Sequence, residues 1–131
     1  MTEQLPLVLI VDDMAETRRL MRRVLERERF RVIEAATGED ALRMVRSSRP
    51  QIVILDLRLP QMSGFDVARE LRSYEDAELA RTPLLACSAS VQPEVRQEAL
   101  DAGCDAFEGK PFDVTTFAAR VREVIAQSGQ R

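Results

Sequence analysis

The sequence contains no histidine and no tryptophan, and only one of its 19 basic side chains is a lysine. The missing histidines exclude Ser–His–Asp catalysis, histidine general bases and most transition-metal sites. With aromatic residues at 5% and a net charge of −3, the chain lacks the stacking platforms and the basic surface of a typical nucleic-acid-binding protein. Direct binding of nucleic acid is therefore not expected.

Cysteine is scarce and long apolar runs are missing. The two cysteines, Cys87 and Cys104, form no CxxC pair, so the sequence predicts neither a disulfide framework nor a zinc site. A reducing compartment fits this usage, and we expect a cytoplasmic protein without membrane contact. The stretch LPLVLIV is too short for a signal peptide or a bilayer-spanning helix and is followed at once by two aspartates.

Apolar runs rich in β-branched residues alternate with helical patterns along the chain. Such runs are typical of strands buried on both faces of a sheet, and they predict strands at 7–11, 31–35, 51–57, 83–88 and 105–109. Apolar residues at helical spacing predict helices around 18–27 and over 38–47, 64–73, 93–102 and 114–127. Thr37 and Ser63 are predicted N-caps, and Gly103 is predicted to end the fourth helix.

The order of these elements is βα repeated five times, which indicates an α/β fold. Such alternation produces a parallel sheet with helices on both faces and right-handed crossovers. The length corresponds to a single domain over 1–131. We expect its core at about 7–126, followed by a short flexible tail at 127–131.

The most informative polar residues lie at the predicted carboxyl ends of strands. Asp12 and Asp13 follow the first strand, Asp56 ends the third, Ser88 ends the fourth and Lys110 follows the fifth. Because the carboxyl ends of parallel strands share one edge of the sheet, we expect these side chains to be neighbours. In the strand order 2-1-3-4-5, the first and third strands flank the point where the order reverses, which is where open α/β sheets bind ligands.

Three carboxylates at one edge repel one another and favour a cation. Mg²⁺ fits all-oxygen ligands, because it prefers octahedral geometry, keeps several waters and takes one or two carboxylates directly. We expect Asp13 and Asp56 to be direct ligands of Mg²⁺, or of Mn²⁺ in its place, and Asp12 to act through water. Each residue alone also has an ordinary explanation, since such acids often cap turns and lone serines and lysines are usually solvated.

The motifs LIVDD, VILDLRLPQMSG, LLACSA and GKPF occur in the order and spacing of a known family. From about Leu7 to Ile125 the chain resembles the receiver domain of two-component response regulators. The resemblance implies a flavodoxin-like, doubly wound (βα)5 sandwich with sheet order 2-1-3-4-5. It also implies a signalling domain rather than an enzyme, which accepts a phosphoryl group from a sensor histidine kinase or a histidine phosphotransfer protein and contacts an unidentified downstream protein.

Position by position, the resemblance assigns roles to the strand-end residues. It makes Asp56 the phosphoryl acceptor and Lys110 the lysine that contacts the phosphoryl group. Asp12 and Asp13 form the acidic pair that holds Mg²⁺, and the backbone carbonyl of Arg58 would be a further ligand.

Two further positions match the switch residues of the family. Ser88 matches the switch hydroxyl and Phe107 the aromatic switch position, where many relatives have tyrosine. Both would act on the face formed by the fourth predicted helix, the fifth strand and the last helix. Gly64 matches a turn glycine, and the Lys110–Pro111 bond is expected to be cis.

The first helix carries five arginines, which have two interpretations. As a docking surface for an acidic partner helix, it would use Arg18 and Arg22 in particular, because this helix begins beside the strand-end acids. As an ordinary helix face, the arginines would simply be solvated.

Other functions remain open at this point. Within the resemblance, the chain could be a relay intermediate or a receiver fragment of a hybrid kinase, although the initiating Met and the short polar tail favour a stand-alone protein. A small Mg²⁺-dependent phosphatase with an aspartyl-phosphate intermediate is a different class. Such enzymes typically show DxD after the first strand, where this chain has DDMAE.

Overall fold

The computed structural model describes residues 4–128, which form one parallel sheet with helices on both faces. In chain order the elements are β1 Leu7–Val11, α1 Ala15–Arg27, β2 Arg31–Ala35, α2 Gly38–Ser48, β3 Ile52–Asp56, α3 Gly64–Arg72, α4 Ala77–Ala80, β4 Leu84–Ser88, α5 Pro93–Ala102, β5 Ala106–Gly109 and α6 Phe117–Ser128. The strand order is β2-β1-β3-β4-β5 with every pair parallel, which confirms the predicted fold.

Alternate residues of each strand face two separate hydrophobic layers. On β1, Leu9 and Val11 belong to the layer that contains the buried residues of α2, α3 and α5. Val8 and Ile10 belong to the layer built with α1 and α6. The central strand β3 is buried along its whole length, as its continuous apolar sequence predicts. Burial of apolar surface on both faces stabilises the folded sheet by about 25 cal/mol per Å². It thereby fixes the positions of the strand ends.

The predicted helix caps are present. The Thr37 side chain accepts a hydrogen bond from the backbone N–H of Asp40 at 3.1 Å. Ser63 and Asp66 form a reciprocal capping box at the start of α3. Gly103 ends α5 in the left-handed region with φ of 114°, a conformation that favours glycine.

Two helices differ from the sequence expectation. The short helix α4, capped by Asp76, was not predicted, because four residues carry too little periodicity to be recognised. The predicted fourth helix is therefore α5. Helix α6 begins at Phe117 rather than at 114, because Asp113 first closes a turn in which its carboxylate accepts the backbone N–H of Thr115 at 2.8 Å.

The last helix also ends later than the sequence predicts. Helix α6 continues through Ser128, so Gln127, where the predicted helix ends and the predicted tail begins, is helical, and so is Ser128, which the sequence places in the tail. The rest of that predicted tail, 129–131, lies outside the described residues.

The helices are short for a bilayer. The longest of those described, α1, has 13 residues. Between residues 4 and 128, none combines the length and the apolar composition that a membrane crossing requires.

Candidate functional site

Three carboxylates and one ammonium group meet at the carboxyl edge of the sheet. Oxygen atoms of Asp12, Asp13 and Asp56 lie within 4.8 Å of one another. The side chains of Asp12 and Asp56 are only 1% and 8% exposed, whereas Asp13 faces solvent. Lys110 Nζ donates to Asp12 Oδ2 at 2.7 Å and lies 3.4 Å from Asp56 Oδ2. The predicted grouping is therefore confirmed for Asp12, Asp13, Asp56 and Lys110.

Burial and neighbouring charges shift the pKa values of Asp56 and Lys110. Burial raises the pKa of Asp56, and the nearby charge of Asp12 adds to this, although a backbone N–H and Lys110 act in the opposite direction. Burial alone would lower the pKa of Lys110, but its contacts with Asp12 and Asp56 outweigh burial and raise that pKa. Lys110 is therefore a fixed positive charge, and it neutralises only part of the negative charge of the acids.

Backbone donors hold the two buried carboxylates in place. Asp12 Oδ1 accepts the N–H of Met14 at 2.8 Å, and Asp56 Oδ1 accepts the N–H of Arg58 at 3.1 Å. Because these contacts occupy the Oδ1 atoms, the Oδ2 atom of each carboxylate is the one that faces Lys110. The acids are thus oriented before any ligand arrives.

A close approach of the chain behind Asp56 requires a glycine. A Cβ atom at Gly64 would lie 2.4 Å from the backbone oxygen of Asp56, closer than non-bonded atoms tolerate. The N–H of Gly64 donates to the carbonyl of Leu57 at 3.1 Å. This packing of α3 against the end of β3 explains the turn glycine that the sequence predicts.

The donor set fits a hard divalent cation. Its side-chain donors are carboxylate oxygens, which Mg²⁺ and Mn²⁺ accept and which soft metals do not prefer. Their clustering within 4.8 Å leaves excess negative charge beside a single ammonium group. Asp13 is the exposed member of the set, so a partly hydrated ion could reach it from solvent.

Sequence comparison gives the family. The response regulator receiver domain matches residues 8–122 of this chain. The chain belongs to the response regulator receiver domain family. The receiver domain is 39% identical over 122 residues to the transcriptional regulatory protein KdpE of Mycobacterium tuberculosis, a match that covers 93% of this chain and 52% of KdpE. It is 33% identical to the transcriptional regulatory protein SrrA of Staphylococcus aureus, covering 92% of this chain and 48% of SrrA. The receiver domain therefore spans about half the length of these curated relatives.

Solved structures of similar chains show the same fold. The chemotaxis protein CheY4 of Vibrio cholerae superposes with a TM-score of 0.85 at 28% identity, covering 92% of this receiver domain and 98% of that chain. A response regulator of Chloroflexus aurantiacus gives a TM-score of 0.87 at 26% identity, covering 93% and 98%. The flavodoxin-like architecture expected from the resemblance is confirmed over nearly the whole receiver domain.

The two predicted switch residues lie on neighbouring strands of the receiver domain. Ser88 ends β4, is partly buried, and its Oγ accepts the N–H of Ser90 at 3.1 Å. Its carbonyl accepts the N–H of Lys110 at 2.8 Å, which joins the ends of β4 and β5. Phe107 is partly buried and packs against the layer that contains α5. The Lys110–Pro111 bond is cis, as predicted.

The arginines selected for docking are engaged within the receiver domain. Arg18 Nε donates to Glu34 Oε1 at 2.9 Å, and Arg22 Nε donates to Glu34 Oε2 at 2.6 Å. The Arg18 side chain is only 17% exposed. Arg18 therefore has little surface to offer a partner, and neither arginine is a free positive charge. Arg19 and Arg23 are the exposed neighbours on α1.

Sequence reasoning missed Glu34. It lies on β2 opposite Ile10 of β1 and holds both arginines. The available signal was an acid inside the apolar strand RVIEA, following an arginine-rich helix.

The two cysteines belong to the packed interior. Cys87 and Cys104 are both buried, and Cys87 belongs to the core layer beneath α1 and α6. Burial raises the pKa of Cys104 to about 11 and also raises that of Cys87. Both thiols are therefore poor nucleophiles at neutral pH.

Proposed function

We propose that this receiver domain accepts a phosphoryl group on Asp56 from a phosphohistidine of a partner protein, in an Mg²⁺-dependent reaction. The observation that carries the proposal is the position of Lys110, whose ammonium group lies between two buried carboxylates at the sheet edge. Since this chain has no histidine, the donor histidine lies outside this sequence, and we propose that a partner protein carries it. A sensor histidine kinase or a histidine phosphotransfer protein is the partner class that follows.

Asp56 and Lys110 have different roles in the proposed reaction. Asp56 attacks phosphorus as a carboxylate nucleophile, forming an O–P bond while the P–N bond to the donor imidazole breaks. Lys110 keeps positive charge beside the acceptor, where it favours the ionised form of Asp56 and the negative phosphoryl oxygens. In such transfers catalysis is mainly positioning and charge neutralisation, and the backbone contacts at Asp12 and Asp56 provide the positioning.

Asp13 and Asp56 are the residues that would hold Mg²⁺ directly, with Asp12 acting through water and the backbone carbonyl of Arg58 as a further ligand. The bound ion would supply charge neutralisation for the transferring phosphoryl oxygens. The oxygen-only cluster supports this assignment.

Signal output is proposed to involve the face made of α5, β5 and α6. Ser88 would bond to a phosphoryl oxygen, and Phe107 would then move into the space left by the loop after β4. Their neighbouring positions on β4 and β5 support this coupling. Loading with beryllofluoride should shift the amide resonances of this face, and unchanged resonances there would contradict the switch.

Two alternatives concern the whole protein. The chain could pass the phosphoryl group on as a relay intermediate, or be the receiver part of a hybrid kinase. A phosphatase with an aspartyl-phosphate intermediate is less well supported, because the buried acceptor Asp56 ends β3 and no DxD motif follows β1.

Labelling with acetyl phosphate tests the proposal. With Mg²⁺, intact-protein mass spectrometry should find at most one phosphoryl group per chain, and chelation of Mg²⁺ should abolish it. Asp56→Asn should remove the label, whereas the control Asp101→Asn, at an exposed α5 residue paired with Gln97, should retain it.

Each outcome separates the candidates. Equal labelling of Asp56→Asn and wild type would contradict the assignment of the acceptor. Sustained turnover of a phosphoester, rather than self-labelling, would favour the phosphatase.

A further inference from the structure

One arginine of α1 contacts the main chain of the acidic pair. Arg18 NH1 donates to the backbone carbonyl of Asp12 at 2.7 Å, while its Nε donates to Glu34 Oε1 at 2.9 Å. The first contact is with the residue that follows β1, and the second is with the next-to-last residue of β2. Arg18 therefore joins the turn that carries the acids to the neighbouring strand.

The turn between β1 and α1 is tied to the end of β2 by the N–H of Asp12, which donates to the Ala35 carbonyl at 3.1 Å, but it has no N-cap side-chain bond. Met14, the N-cap residue of α1, makes no side-chain capping bond. The N–H of Arg18 donates to the carbonyl of Met14 at 3.1 Å, so Arg18 holds this turn through both its main chain and its side chain. The carbonyl of Asp12 lies beyond the last residue of β1. Without Arg18 this carbonyl would lose a charge-assisted hydrogen bond.

Glu34 fixes the direction of the Arg18 side chain. Its second oxygen accepts from Arg22 Nε at 2.6 Å, so the carboxylate is held from both sides. Burial works against the charged form of Glu34, but the hydrogen bonds from Arg22 and Arg18 outweigh it and lower the pKa of Glu34. Glu34 thus stays ionised at neutral pH. The guanidinium of Arg18 is planar, so fixing its Nε also fixes the direction of NH1.

We propose that Arg18, braced by Glu34, is a positioning residue that sets where the Asp12 and Asp13 carboxylates project and so prepares the acidic pair for a divalent cation. This rests on the proposed function of the site. Asp12 is then held at four points, since its N–H donates to the Ala35 carbonyl and its two carboxylate oxygens already accept from Met14 and Lys110. This role differs from both interpretations that the sequence offers for Arg18, docking and simple solvation.

The charge of Arg18 and its hydrogen bond to the Asp12 carbonyl predict opposite effects of neutralising this residue on Mg²⁺ affinity. Arg18 is a cation near a cation site, so its charge alone repels Mg²⁺, and neutralising it would tighten binding. If the hydrogen bond to the Asp12 carbonyl matters more, neutralising Arg18 will weaken binding. Changes to groups that orient metal ligands typically cost about 10-fold or more in metal affinity.

Calorimetric titration of Mg²⁺ into the intact protein distinguishes the effect of charge from the effect of positioning. We expect Arg18→Gln to weaken Mg²⁺ binding about 10-fold. Arg18→Lys keeps the charge, but its ammonium group cannot replace the forked guanidinium contacts with Asp12 and Glu34. Its Mg²⁺ affinity should lie between those of Arg18→Gln and wild type. Arg22→Gln removes contacts with Glu34 and Glu26 but none with Asp12, and it should lose less affinity than Arg18→Gln. Arg27→Gln, at an exposed residue of the same helix, should leave affinity unchanged.

Hydrogen exchange without Mg²⁺ gives a second readout. The Met14 N–H, which donates to Asp12 Oδ1, should exchange faster in Arg18→Gln than in Arg27→Gln. A role in overall stability alone would lower the urea midpoint and leave the Mg²⁺ affinity of the folded protein unchanged.

The outcomes are separable. Unchanged or tighter Mg²⁺ binding by Arg18→Gln, or full recovery in Arg18→Lys, would overturn the positioning role while leaving the proposed function intact. Wild-type protein that bound no Mg²⁺ and took no label from acetyl phosphate would overturn both.

Discussion

Lys110 is the single lysine among 19 basic side chains, and it occupies the position between the two buried carboxylates of the site. Its ammonium group contacts Asp12 and Asp56 while its side chain is 21% exposed. A compact point charge on a flexible stem fits between two carboxylates, whereas the planar guanidinium group of arginine is wider. Elsewhere the chain uses arginine for forked contacts, as at Arg18. Residue type therefore follows the geometry of each contact.

Gly64→Ala should damage the site through packing rather than chemistry. The new Cβ would lie 2.4 Å from the Asp56 backbone oxygen and 2.7 Å from the Leu57 Cα, and backbone atoms of a central strand cannot yield easily. We expect a loss of about 1–3 kcal/mol in unfolding free energy, measured by urea denaturation, together with slower labelling by acetyl phosphate.

Gly109→Ala is the matched control for this substitution. Its Cβ would meet only the Val91 side chain, at 2.7 Å, and Val91 is 66% exposed and free to move. A smaller loss than at Gly64 is expected. Equal losses of unfolding free energy in Gly64→Ala and Gly109→Ala would show that the close approach of Gly64 to Asp56 does not cause the loss.

At the scale of elements, Arg72 joins the end of α3 to three other segments. Its Nε donates to the Gly103 carbonyl at 2.9 Å, and NH1 donates to the carbonyls of Ala80 and Thr82, each at 2.8 Å. NH2 donates to Asp105 Oδ2 at 3.1 Å, and the same oxygen accepts the N–H of Leu84 at 2.8 Å. These contacts lie at the amino ends of β4 and β5, opposite the acidic site.

Arg72→Lys should therefore lower stability without impairing the site. A lysine cannot make several of these contacts at once, and each lost bond to a partly buried group costs about 1 kcal/mol. We expect a loss of about 2–4 kcal/mol in urea denaturation, with labelling by acetyl phosphate unchanged under native conditions. Arg69→Lys, one turn earlier at a residue 53% exposed, should change stability little. Similar losses for both variants would contradict the joining role of Arg72.

At the scale of the whole molecule, charge is unevenly distributed. The net charge is −3, yet α1 carries five arginines, of which Arg18 and Arg22 are neutralised in part by Glu34. Arg19 and Arg23 remain exposed beside Leu20, which is 45% exposed. These exposed charges are available to an acidic partner surface.

Reversing the charge of Arg19 and Arg23 should slow transfer from a phosphorylated donor protein. The expected loss is about 10-fold at low salt and smaller at high salt, because the attraction is long-range and screened. Labelling by acetyl phosphate should be unaffected, since a small donor needs no docking surface. Arg81→Glu, at an exposed residue before β4, controls for a charge reversal outside α1. Equal slowing with both donors would count against docking.

Local patterns were sufficient to predict most of the fold. Apolar runs identified all five strands, and caps such as Thr37 and Ser63 placed two helix starts correctly. Boundaries failed where local turns competed with helix, as at Asp113 before α6. The four-residue helix α4 was missed because it is shorter than two turns.

The sequence by itself determined the parallel α/β architecture and the grouping of Asp12, Asp56 and Lys110, because hydrophobic periodicity is local and parallel strands bring their carboxyl ends to one edge. Only the tertiary structure decided which arginines face solvent and which are engaged. Arg18 meets Glu34 because β2 pairs with β1 in a register that places Glu34 opposite Ile10. Contacts of this kind depend on strand pairing across distant parts of the chain, and no spacing within α1 or β2 encodes them.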